Sequence, residues 1–155
     1  LLFTQESRMR LAPRVLAFVA PLALLAAAPG AASAQSYAQQ VWDQLQRVYD
    51  IAAGEDYTLQ NYIIGALNDD GTDSWTFPLD AGTSYLITGA CDTDCSDLDI
   101  VVTDENGNTV AQDQTADDIP VVQFTTRGSG RHTVEITMYA CSANPCYFGF
   151  GIFER

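Results

Sequence analysis

The stretch Cys91-Asp-Thr-Asp-Cys-Ser-Asp-Leu-Asp-Ile100, continued by Val101 and Val102, decides the architecture of this chain. Leu98, Ile100 and Val102 share one face while Asp97 and Asp99 point away, which is the period of two expected of a strand with one buried side. The same alternation recurs in Val134, Ile136 and Met138, with Glu135 and Thr137 opposite. Working outward, further candidate strands are Tyr57–Leu67, Ser74–Leu79, Ser84–Ala90, Thr109–Gln114, Val121–Thr126 and Tyr147–Phe153, beside Leu98–Asp104 and His132–Ala140. Turn chemistry separates them: Asn68-Asp-Asp-Gly71, Asp80-Ala-Gly82, Glu105-Asn-Gly107 and Arg127-Gly-Ser-Gly130. Asn106-Gly107 between two strands is a hairpin signal. Eight short strands with one-sided alternation predict an all-β fold, an antiparallel β-sandwich of jelly-roll type. No βαβ spacing or nucleotide-binding glycine loop occurs, which argues against an α/β enzyme.

Upstream the period changes. Val41, Leu45, Val48 and Ala52 recur at helical spacing, Trp42 and Tyr49 widen the stripe, and Gly54 follows, so residues 36–53 are expected to form one amphipathic helix. Further back, Met9-Arg10 and Arg14 precede the apolar run Val15–Ala28, and Ala32-Ser-Ala34 has the small residues of a cleavage site. That run is too short for a membrane span of about 20 residues. A signal peptide cut after Ala34 is expected, hence a periplasmic or secreted protein with no membrane anchor after cleavage. The expected organisation is residues 1–34 as upstream residues plus signal peptide, 35–54 as helix and 55–155 as sandwich.

Of 155 residues, 20 are acidic and 7 basic, a formal net charge of −13. Cleavage after Ala34 would remove Arg8, Arg10, Arg14 and Glu6, leaving 4 Arg, no Lys and 19 acids, a net charge of −15. Nucleic acid is excluded as a partner, because binding it requires Lys and Arg to replace counterions.

Four cysteines in a small exported domain imply disulfides. Spacing favours Cys91–Cys95 and Cys141–Cys146, with pairing across the two loops still open. A four-thiol zinc site fits the secretory context less well, and neither pair has the redox spacing Cys-x-x-Cys.

The runs Asp73-Ser-Trp-Thr-Phe-Pro-Leu79, Ala81-Gly-Thr-Ser-Tyr85, Ser96-Asp-Leu-Asp-Ile100 and Gly128-Ser-Gly-Arg-His-Thr-Val134, in that order, resemble the bacterial pre-peptidase C-terminal domain. The resemblance covers about residues 57–155. It implies a jelly-roll module of the kind appended to secreted proteases, here a standalone copy behind a signal peptide.

Two readings of the acidic cluster Asp92, Asp94, Asp97 and Asp99 stay open: a Ca²⁺ site, which wants six to eight oxygens, and a solvated acidic face. The Gly and Glu of an EF-hand loop are missing from their positions. Catalysis has little support. His132 is the lone histidine and shares its face with Val134, and no Gly-x-Ser-x-Gly or His-Glu-x-x-His motif is present. The expectation is therefore a non-enzymatic binding or accessory module for an extracellular protein or polysaccharide. Trp42, Tyr147 and Phe153 are candidates for its binding surface, although the face Tyr147, Gly149, Gly151, Phe153 is better read as the seat of the helix, which must bury its stripe somewhere. A small hydrolase or hydrolase inhibitor, and a structural subunit of a surface assembly, are the alternatives.

Overall fold

The computed structural model describes the backbone of residues 29–155 and side chains from residue 36 onward. The basic and apolar parts of the expected signal peptide fall on residues 1–28, outside the described residues. Helix α1 spans Pro29–Gly54 and is followed by eight strands: β1 (Thr58–Leu67), β2 (Gly71–Leu79), β3 (Ser84–Cys91), β4 (Cys95–Thr103), β5 (Thr109–Asp113), β6 (Val121–Thr125), β7 (Gly130–Cys141) and β8 (Cys146–Glu154). The helix begins before its apolar stripe does. Pro29 suits a first helical position, and the residues after it are mostly small helix formers.

Each expected strand forms, and all pair antiparallel. One sheet has the order β1-β8-β3-β6 and the other β2-β7-β4-β5, the interleaving of a jelly roll. Between the sheets lies the main core. Phe148, Phe150 and Ile152 of β8 and Ile87 of β3 face Leu98, Ile100 and Val102 of β4 and Val134, Ile136 and Met138 of β7. All ten are at most 1 % exposed. At about 1.5–3 kcal/mol for each fully buried large apolar side chain, this layer supplies most of the drive to fold.

Helix α1 adds a third layer on the outer face of the first sheet. Val41 and Leu45 pack on Ala90, and Ala52 packs on Tyr57 and Phe153. The strand beneath is cut away to receive it. A Cβ on Gly149 would stand 2.7 Å from Leu45 Cδ1, 2.9 Å from Val41 Cγ1 and 3.0 Å from the Ile63 carbonyl oxygen. Gln44 Nε2 donates to the Cys91 carbonyl at 2.7 Å. At the other end of the helix, Arg155 donates to the Glu55 carbonyl and lies over the Tyr57 ring.

Two disulfides form, Cys91–Cys95 and Cys141–Cys146, with Cα separations of 5.9 and 5.8 Å. These lie within the range a disulfide requires. Both occupy one pole of the sandwich, since Cys95 and Cys141 are register partners in the β4–β7 ladder.

Candidate functional site

The four carboxylates proposed as a calcium set go to two different places. Asp92 is 2 % exposed. Its Oδ1 accepts the Asp94 N–H and braces its own loop, while its Oδ2 accepts the Tyr147 N–H and ties the first disulfide loop to the second. The Asp94 carbonyl accepts the Ser142 N–H and hydroxyl, completing that tie. The hydrogen bond and charge of Asp94 raise the Tyr37 hydroxyl above its usual range.

Asp97 and Asp99 lie elsewhere, on β4 beside Asp113 and Asp117. There the β5–β6 connection folds back, and the Leu98 N–H donates to the Asp117 carbonyl. This connection explains a departure from the sequence expectation: Asp99 points outward yet is only 8 % exposed. Desolvation first, then Asp97, Asp113 and Asp117, push its carboxyl above the ordinary range. Desolvation and Asp117 do the same to Asp97, whose buried Oδ1 has no hydrogen-bond partner. Asp113 moves the opposite way, because Thr115 and the Val121 N–H stabilise its charge. The sequence cluster thus does not form one cage. Among the described residues no three His, Cys, Asp or Glu side chains are arranged to hold a metal ion.

The aromatic candidates also divide. Tyr147 is half-buried and stacks on Tyr37 with ring centroids 6.3 Å apart. It belongs to the seat of the helix and presents no open platform. Phe153, 2 % exposed, lies under α1 as well, but its ring forms part of the floor of a groove between α1 and β1. Leu59 and Gly151 complete that floor, Leu45 and Gln46 stand at the side, and Trp42, Tyr49 and Tyr62 form the walls. The Trp42 and Tyr62 rings lie 5.4 Å apart and tilted by 55°. Tyr49 is 46 % and Tyr62 48 % exposed. The groove holds about 240 Å³ and carries almost no polar surface. Tyr62 escaped the sequence reading because alternation along β1 shows which residues are outward, not that a helix stands beside them.

At the pole away from the disulfides a second, polar cleft of about 590 Å³ opens between the β4–β5 and β6–β7 turns. His132 lies at its base, 6 % exposed, with Nδ1 3.3 Å from the Gly130 carbonyl. Its ring neighbour is Phe124 and Asp104 lies within electrostatic reach, but among the described residues the ring makes no hydrogen bond to a nucleophile or a carboxylate.

No family model matches the chain, and no curated protein matches it. Among solved structures it is similar to the pre-peptidase C-terminal domain of a collagenase from Bacillus anthracis. That likeness has 18 % identity and a TM-score of 0.50, covering 61 % of this chain and 89 % of that one. The sandwich has the fold of a pre-peptidase C-terminal domain. A periplasmic inhibitor of g-type lysozyme from Aeromonas hydrophila is similar at 11 % identity and a TM-score of 0.47, covering 61 % of this chain and 85 % of that one. On the pre-peptidase-type sandwich α1 is an outer layer laid across β8, and the apolar groove exists because of it. No helix among the described residues is long and apolar enough to cross a membrane.

Proposed function

We propose that this protein is a non-catalytic binding module of the exported compartment that engages another protein through the groove between α1 and β1. The observation that carries the reading is the groove itself: three half-exposed or partly exposed aromatic rings around an apolar floor. A sugar platform needs several hydrogen-bonding side chains beside its aromatic face, whereas the polar groups of this lining are Gln46, the Trp42 indole N–H and the tyrosine hydroxyls. An apolar side chain from a protein partner is the better occupant. Clefts of this kind accept the aromatic or aliphatic anchor that carries most of the energy of a protein interface. The disulfides fit an oxidising compartment, in agreement with the signal peptide expected from the sequence.

Selection from a displayed peptide library tests the proposal. Enriched peptides should share one aromatic or large aliphatic anchor and should change the emission of Trp42. Trp42→Ala and Tyr62→Ala should each weaken such a peptide by about 2 kcal/mol or more, as loss of a central anchor contact does. Peptides that bind both variants as well as the parent protein would refute the groove as the site.

A further inference from the structure

We infer that the polar cleft at the pole opposite the disulfides is a binding site for a sugar acid, a hydroxylated small ligand carrying one oxyanion. The chain is strongly acidic, yet two of its seven basic residues, Arg127 and Arg131, line this one cleft. Among the described residues neither guanidinium has an ion-pair or hydrogen-bond partner. In a protein with 20 acidic residues, two unpaired arginines on one cleft leave fork-shaped donors free for an oxyanion.

His132 supplies the second observation. It is more than nine-tenths buried and one ring nitrogen faces the Gly130 carbonyl. The other ring nitrogen has no hydrogen-bond partner among the described residues and opens to the cleft that the residue lines. That nitrogen is free to bond a ligand oxygen there.

The remaining lining selects hydroxyl groups. Asp104 is committed to its own turn, where it accepts the Asn106 and Asn108 N–H groups and the Asn108 amide. Those bonds hold its carboxyl below the ordinary range, so it stays an anion whose repulsion the two guanidiniums must outweigh. Glu105 stands over Gly130 with Oε2 3.2 Å from the place a Cβ would occupy, and offers an acceptor for a ligand hydroxyl. Phe124, itself packed on Tyr85 and His132, gives the cleft one aromatic face. Volume agrees: about 590 Å³ lies inside the usual range of small-ligand sites. A long polyanion is disfavoured by the charge of the rest of the surface, which leaves a single acidic sugar unit.

Calorimetric titration of the intact protein at fixed ionic strength, with glucuronate, glucose and acetate as separate probes, tests this. Glucuronate should bind saturably, and both glucose and acetate at least about tenfold more weakly, since each lacks one half of the recognised chemistry. Arg127→Gln and Arg131→Gln, both at exposed positions, should each weaken glucuronate by about tenfold or more, and Trp42→Ala should leave it unchanged. That last control separates this site from the apolar groove. Absence of saturable glucuronate binding would overturn the inference. So would glucose or acetate binding equal to that of glucuronate, or an Arg127→Gln/Arg131→Gln double variant that binds as the parent does.

Discussion

Adding one methyl group at Gly149 tests how the helix is seated. The Cβ of Gly149→Ala would meet Leu45 Cδ1 at 2.7 Å, Val41 Cγ1 at 2.9 Å and the Ile63 carbonyl at 3.0 Å. The carbonyl belongs to the β1–β8 ladder and cannot yield without breaking register. The two side chains can yield only if α1 moves outward. Overpacking of this kind costs about 1–3 kcal/mol. Burial of Val41 and Leu45 under the helix stabilises by roughly 3–6 kcal/mol, which exceeds the strain. The helix should therefore shift and remain docked. The two tryptophans separate the outcomes: Trp42 is on α1 against Tyr62, whereas Trp75 is packed on Phe148 and Phe150. Urea unfolding of Gly149→Ala should show a loss of about 1–3 kcal/mol. In native buffer, Trp42 emission (isolated by Trp75→Phe) should shift while Trp75 emission (isolated by Trp42→Phe) stays put. Gly54→Ala, where no atom lies within 4 Å of the added methyl, is the control and should change stability little. A Gly149→Ala protein with parental stability and unchanged Trp42 emission would refute the seat.

Three further outcomes follow from other contacts. Asp92→Asn turns one of two acceptors into a donor facing an N–H; urea denaturation should show a loss of about 1.5–3 kcal/mol, and parental stability would contradict the tie. Removing the Cys141–Cys146 bridge, which closes a loop with a sequence separation of 5, should cost about 2 kcal/mol on the chain-entropy account, with the fold retained by circular dichroism. The folded state holds the protons of Asp97 and Asp99 more tightly than the unfolded chain does, because desolvation and neighbouring carboxylates raise both groups. Stability from these two groups is present at acid pH and is lost as pH rises from the ordinary aspartate range through their raised values. Asp99→Asn should therefore raise the melting temperature at pH 7 and do so less at pH 4, and a lower melting temperature at pH 7 would count against the crowding. Asp104 and Asp113 act in the opposite sense, their contribution vanishing as pH falls through their lowered values.

Strand positions were legible because a sandwich strand has one wet and one dry face, and Leu98, Ile100 and Val102 print that difference directly. The local cysteine pairing was legible because short loops leave little choice of partner. What the sequence hid were relations between distant segments. Asp92 and Asp99 are seven residues apart, but two irregularities in register between Cys95 and Leu98 and the returning β5–β6 connection give one a structural task and crowd the other among acids. Tyr62 and Trp42 sit in different elements, and their pairing depends on where α1 lies across β8. Arg127 and Arg131 face one cleft because the β6–β7 turn sits between them, and nothing in their neighbours' composition marks it. The glycines of β8 were the nearest thing to a signal: small residues every second position announce that something presses close, without naming what.

Strand order has a consequence for how the molecule comes into being. β8 is the last strand in the chain, yet it lies inside its sheet, hydrogen-bonded to β1 on one side and β3 on the other, and it also forms the bed of α1. No earlier portion of the chain can assemble that sheet, because β1 and β3 have no contact in it until β8 arrives between them. Assembly therefore waits for the final nine residues of regular structure, and the pairings that complete it are of long range and slow. Until β8 is in place, β1 and the β3–β6 pair remain separate pieces of one unfinished sheet.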